Sequence, residues 1–258
     1  MCELLGVSCY PTTEISFSFS IFRKHSRNNP HGWGYAWLNP QDREWNIVKE
    51  PIKAESSSIA EQLIEKKDVF RGTMFLSHIR FATHGRSKVE NTHPFQKQLF
   101  DKNWVFAHNG ALNYMMLKRN FELTKYYPDG QTDSELAFCI ILEELKKIGR
   151  NATNNKKIST IEDIANKLSE YGGLNFLLSD GDSLFAYHSG YNSLYYVERK
   201  PPHQSMIVAK DRDLRISILD KPENERAVII ATVPLTKEKW TRFKPRKLYF
   251  FEKGKKEL

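Results

Sequence analysis

The chain has 258 residues, of which 40% are hydrophobic, 27% charged and 12% aromatic, with 13 Gly, 11 Pro and a formal charge of +8. These values exclude collagen-like, disordered and disulfide-stapled classes and describe a chain long enough to bury a sizeable core. The excess charge invites an acidic partner, but the basic residues are thinly spread. The densest group, Lys244 to Lys256, is interleaved with Tyr249, Phe250 and Phe251 as in a strand with a solvated tail, so neither nucleic acid nor membrane is expected as a partner.

The first residues, Met-Cys-Glu-Leu-Leu-Gly-Val-Ser, lack a basic start followed by an apolar stretch, and no apolar run reaches the ~18 residues of a membrane helix. A cytoplasmic location is expected. Cys2, Cys9 and Cys139 form no CxxC pair, in keeping with a reducing compartment and without a structural zinc site.

Short β-like runs open the chain at Glu3–Ser8, Trp33–Leu38, Trp45–Glu50, Thr73–Arg80 and Trp104–His108. Helical periodicity is predicted over Ser58–Lys66, Thr132–Ile148 and Ser159–Tyr171. Further strands are expected at Leu174–Ser179, Leu184–His188, Leu194–Glu198, Met206–Ala209, Ala227–Thr232 and Leu248–Phe251. Arg150–Lys157 reads as a polar loop, and Thr132-Asp133-Ser134-Glu135 as a capping box in which Thr132 and Glu135 both satisfy free amides. Strands, then helices, then strands indicate an α+β layered fold with mainly antiparallel sheets rather than a doubly wound one.

Cys2 is chemically suggestive because removal of Met1 would place a thiol and a free α-amine on one residue. An α-amine has an unperturbed pKa of ~7.7 to 8.0, so it can take the thiol proton near neutrality. Alone, this signal is weak. Further along come Arg80-Phe81-Ala82-Thr83-His84-Gly85, Asn91-Thr92-His93-Pro94-Phe95, His108-Asn109-Gly110 and Thr132-Asp133-Ser134-Glu135. Each has a plain structural interpretation, Asn109-Gly110 being a strong hairpin-turn signal. His84, His93 and His108 lack metal-ligand spacing, and no metal is expected. His31-Gly32-Trp33-Gly34 has no third glycine of a dinucleotide loop, and no phosphate-binding Gly-x-x-x-x-Gly-Lys-Ser/Thr is present; no cofactor is expected.

In this order the motifs resemble the glutaminase domain of class II glutamine amidotransferases, a branch of the N-terminal nucleophile hydrolases, and most closely their stand-alone YafJ-type members. The likeness spans nearly the whole chain and includes Met1-Cys2-Glu3-Leu4-Leu5-Gly6 and Asn175 to Gly181. It implies one glutaminase domain over residues 1–258, folded as a four-layer αββα sandwich. It implies Cys2 as nucleophile, with its own α-amine as base and a γ-glutamyl thioester as intermediate. Asn109 and Gly110 correspond to the oxyanion hole, Arg80 to the residue that grips the substrate α-carboxylate and Asp133 to the one that binds its α-ammonium. Thr83 and His84 would line the same pocket, and Phe81 would only pack. The implied substrate is glutamine or a related γ-glutamyl compound, with an ammonia-accepting or degradative protein as a partner. Two alternatives remain open: a γ-glutamyl peptide hydrolase acting with a partner, and a non-catalytic glutamine-binding or docking module.

Overall fold

A computed structural model describes residues 2–66, 69–82, 86–203, 206–210, 215–217 and 222–258. Its first half comprises β1 (Glu3–Thr13), α1 (Ser16–Phe22), β2 (Trp33–Leu38), β3 (Trp45–Glu50), α2 (Ser58–Glu65), β4 (Gly72–Ile79), β5 (Phe95–Leu99), β6 (Lys102–Leu112) and α3 (Tyr114–Asn120). There follow α4 (Asp133–Ile148), α5 (Asn154–Leu168), β7 (Gly172–Ser179), β8 (Ser183–His188), β9 (Tyr195–Arg199), β10 (Met206–Val208) and β11 (Arg215–Ser217). The last strands are β12 (Arg226–Ala231), β13 (Thr241–Arg242), β14 (Lys247–Glu252) and β15 (Lys255–Lys256).

Two antiparallel sheets dominate the described residues, in the orders β13-β9-β12-β1-β4-β2-β3 and β15-β14-β8-β7-β6-β5. Period-2 alternation sorts their side chains into three cores. From β1, Leu5 and Val7 join Phe75 and Ile229 beneath α1 and α2. The intervening Leu4 meets Leu76, Ala107, Leu177 and Ile230 between the sheets. On β6, Phe106 turns the other way to pack with Phe138, Ile161 and Phe176 under α4 and α5. Three apolar layers thus separate four layers of structure, α1 and α2, two sheets, then α3 to α5. The αββα sandwich expected from the resemblance is the architecture found. Each fully buried Phe or Leu in these layers contributes about 1.5–3 kcal/mol.

The predicted strands and the apolar cores of the predicted helices are present, with shifted ends. The helix expected from Ser159 begins five residues earlier, at Asn154, because the hydroxyl of Thr153 accepts from the Lys156 amide as an N-cap; the polar stretch from Arg150 is therefore only partly a loop. In the Thr132 capping box only one half forms. Thr132 Oγ1 accepts from Glu135 N at 3.2 Å, whereas the Glu135 carboxylate accepts from Asp129 and Gly130 amides and pairs with Lys97 at 3.3 Å. Further along α4, burial would raise the pKa of Glu143, but the amides of Thr124, Lys125 and Tyr126 and the Thr124 hydroxyl overcome it and hold the pKa at about 2. Glu135 and Glu143 together clamp the loop before α4, and so fix where that helix starts.

Candidate active site

Along β1, Leu4, Gly6 and Ser8 face the layer between the sheets, and Cys2 has the same parity. Arg80 extends the inter-sheet series of Met74, Leu76 and His78 on β4, while Asn109 extends Val105 and Ala107 on β6. Alternation alone therefore brings Cys2, Arg80 and Asn109 to one end of the middle layer, where polar groups replace the apolar filling. Pairing of β1 with β12 over six residues on one side and with β4 over seven on the other fixes the position of this end.

Cys2 is half-buried. Its Sγ lies 3.1 Å from the amide nitrogen of Phe81, which donates to it, and 3.2 Å from the Phe81 carbonyl oxygen. Burial pushes the thiol pKa up, while the Phe81 hydrogen bond and the Arg80 guanidinium act in the opposite direction. Arg80 is itself buried, which lowers its pKa, and the charges of Cys2 and Asp133 act to restore it. The three groups share one electrostatic environment.

Arg80 is held in place by its surroundings. Its backbone pairs with His31 and Gly32, and its Nη1 donates to the Arg86 carbonyl at 3.3 Å. That carbonyl also accepts from Asn91 Nδ2, whose Oδ1 accepts from Gln131 N at 2.9 Å. Asn91 thereby couples the Arg80 side of the site to the start of α4. Next to it, Gly34 lets the backbone of β2 approach closely: a Cβ there would come within 2.1 Å of the His93 carbonyl oxygen.

Asn109 and Gly110 lie inside β6, opposite Asn175 and Leu174 of β7, and form no hairpin turn. Both backbone polar atoms of Leu174 are engaged on the β8 side, N with Ser189 Oγ and O with Ser189 N, each at 3.0 Å. Gly110–Leu174 is therefore a non-hydrogen-bonded pair, and the Gly110 N–H turns away from β7. On that other edge the partner strand β5 has already ended opposite Phe106. Two residues on, the Leu112 N–H of the same edge donates to Asp133 Oδ2 at 2.7 Å. Asp133, the first residue of α4, is thus buried against the strand that carries Asn109 and Gly110.

Asn109 Nδ2 donates to Thr232 Oγ1 at 3.3 Å, and the same oxygen accepts from Leu4 N at 2.9 Å. Thr232 ties the amide of Asn109 to the beginning of β1 and leaves one Nδ2 proton for another acceptor. Sequence reasoning missed this role; the only signal was a polar residue closing the apolar run from Ala227. His108 is fixed by Ser134 Oγ at 2.8 Å and the Gly173 carbonyl at 3.2 Å. His78 and His93 lie with ring centroids 4.2 Å apart, and neither nitrogen of His93 has a hydrogen-bond partner among the described residues. Burial lowers the pKa of His78 to about 3 and that of His93 well below its usual value. No group of three or more metal-ligating side chains occurs among the described residues, and no helix is long and apolar enough to cross a membrane. Thr83 and His84 lie outside the described residues. The assembled groups can present a thiol, an amide donor and a backbone N–H at one end of a buried layer, with a guanidinium and a carboxylate beside them.

Over residues 1–258 the chain matches the family model described as "Glutamine amidotransferases class-II", and it belongs to that family. It is 38% identical over 98% of its length to the uncharacterized protein MJ1515 of Methanocaldococcus jannaschii, covering 70% of that protein. It is 33% identical to the putative glutamine amidotransferase YafJ of Escherichia coli, over 99% of each chain. A crystal structure of a predicted glutamine amidotransferase from Pseudomonas aeruginosa superposes over 100% of both chains with a TM-score of 0.74 and 25% identity. The sandwich also matches 47% of the chain of a glutamine phosphoribosylpyrophosphate amidotransferase from B. subtilis, with a TM-score of 0.62 at 16% identity.

Proposed function

We propose that the chain, acting as one glutaminase domain over residues 1–258, hydrolyses the side-chain amide of glutamine or of a related γ-glutamyl compound. Cys2, freed of Met1, attacks the amide carbon. Its thiol proton passes to its own α-amine, and the carbonyl oxygen takes the negative charge. Asn109 Nδ2 and the Gly110 N–H stabilise that charge, a contribution of roughly 3 to 4 kcal/mol per donor. Collapse forms the γ-glutamyl thioester, and the leaving nitrogen departs as ammonia with the proton from the amine. Water then cleaves the thioester, giving glutamate and restoring the thiol.

The observation that carries this reading is the orientation of the Gly110 N–H toward the strand edge beyond the end of β5, beside an Asn109 amide tied through Thr232 to the residues following Cys2. A thiol whose pKa is raised by burial also needs a base at hand, and the α-amine supplies one without a third residue. Arg80 then binds the substrate α-carboxylate through its planar fork. Asp133 binds the α-ammonium, and Thr83 and His84 complete this pocket. We place the enzyme in the cytoplasm, with ammonia released to water or to a partner protein.

Incubation with a glutamine-analogue diazoketone tests the proposal. Covalent mass should map to Cys2 alone, with Cys9 and Cys139, both buried, unmodified. Correctly trimmed protein that takes up no label contradicts it.

Asp133→Asn separates binding from folding. The asparagine Oδ1 can still accept from Leu112 N, so the melting temperature should hold, whereas KM for glutamine should rise about tenfold or more through loss of the charge. An unchanged kcat/KM would remove Asp133 from substrate binding.

A further inference from the structure

The proposed nucleophile and the proposed oxyanion donors stand on different sheets: Cys2 precedes β1 of the seven-stranded sheet, whereas Asn109 and Gly110 belong to β6 of the six-stranded one. Between the two, Leu4, Leu76, Ala107, Leu177 and Ile230 make an apolar contact. Apolar contact is non-directional: it holds the sheets together without fixing the aim of a polar group at their edge. The registry of the sheets at the active end sets the distance from the sulfur to the Asn109 donor, and a misplacement of about 1 Å there costs on the order of 10²-fold in rate.

One oxygen spans the gap. Thr232 directly follows β12, in the nucleophile's sheet, and its Oγ1 accepts from Leu4 N at 2.9 Å and from Asn109 Nδ2 at 3.3 Å, so both lone pairs of the hydroxyl are used. The first bond replaces a rung of the β1–β12 ladder. Thr232 N donates to Leu4 O at 3.1 Å, but the Thr232 carbonyl, which would ordinarily accept the return bond, accepts from Ser193 Oγ at 2.8 Å. Leu4, two residues after Cys2, is thus seated on a side chain. The second bond fixes the plane of the Asn109 amide, and with it the direction of the remaining Nδ2 proton, about a torsion that is otherwise broad and roughly two-fold.

We propose that Thr232 is a positioning residue for the amide hydrolysis described above, holding the Cys2 sulfur and the Asn109 donor in one registry across the two sheets. It acts on the transition state and leaves glutamine binding alone. The proposal rests on the amidase reading of Cys2 and Asn109 and adds to it a residue that touches neither the substrate nor the reacting atoms.

Thr232→Val keeps the shape of the side chain and removes the oxygen. Its kcat for glutamine, per site counted by diazoketone label mapped to Cys2, should fall about tenfold or more with KM within about threefold of the parent. Thr232→Ser restores the oxygen and should recover most of that loss. In an Asn109→Ala background the same valine substitution should cost at least about threefold less, because the amide it positions is gone. A role confined to satisfying Leu4 N would lower the melting temperature and the number of labelled sites and would cost the same factor in both backgrounds. Should valine prevent folding, Thr232→Cys takes its place, its sulfur a weak acceptor, with the same loss of kcat expected. Losses within about threefold of each other in the two backgrounds, a fall in kcat per site below about tenfold, a loss carried by KM alone, or a serine variant as slow as the valine one each overturns the inference. Glutamate release by the parent then keeps the amidase reading in place. A parent that releases no glutamate from glutamine removes both.

Discussion

Replacement of Cys2 by Ser should reduce glutamate release from glutamine by about 10⁴-fold or more, and retention of Met1 by about 10²- to 10⁴-fold. The two losses have different causes. A hydroxyl in place of the thiol keeps the Phe81 contacts but is far less acidic than a thiol already held up in pKa by burial. Retained Met1 keeps the sulfur and removes the base, because the α-nitrogen of Cys2 is then a peptide nitrogen with no basicity. Neither change touches the pairing that begins at Glu3, so both proteins should melt within a degree or two of the parent. Intact-mass measurement of the first residue, paired with an ammonia or glutamate assay on the same sample, reads out both. Full turnover by a preparation whose mass shows Met1 still attached would sink the proposed mechanism.

A second substitution, Gly110→Ala, should damage folding and chemistry together. The new Cβ would stand 1.9 Å from the Gly173 carbonyl oxygen and 2.6 Å from His108 Nε2. The first is backbone in the middle of a sheet and cannot swing aside, so β6 and β7 must separate. We expect a loss of about 2–3 kcal/mol, read as a melting point lower by roughly 5–10 °C, and a fall in kcat of about 10²-fold as the N–H leaves its orientation. Gly149→Ala provides the contrast. There φ is +84° with nothing within 4 Å of the added carbon, so the cost is backbone strain alone, about 1–3 kcal/mol, with no effect on kcat. A normally active, normally stable Gly110→Ala protein would remove Gly110 from both roles.

Much of this arrangement could be read before any coordinates. Alternation in β1, β4 and β6 was strong enough to predict the strands, and the order of short motifs was specific enough to indicate the sandwich. What escaped was decided by partners distant in sequence. The Asn109-Gly110 dipeptide is locally a hairpin signal, but β7 supplies a neighbour at every residue from Val105 to Leu112 and the strand runs on. Glu135 follows Thr132 at the capping-box spacing, yet Lys97 and the Asp129 and Gly130 amides offer its carboxylate a better set of partners. α1 was overlooked because Ser16–Phe22 alternates serine with apolar residues, a strand-like pattern, and becomes a helix with Phe19 and Phe22 buried over the sheet. Thr232 meets Asn109 more than a hundred positions away and Asn91 meets Gln131 forty positions away, pairings that no local pattern encodes.

The place of β1 in its sheet has one more consequence. Chain ends commonly fray, yet here Cys2, the proposed nucleophile, directly precedes a strand hydrogen-bonded on both flanks. The backbone at that residue is therefore anchored by the strand that follows it, and the aim of the sulfur is left to a single side-chain torsion and its contact with the Phe81 amide.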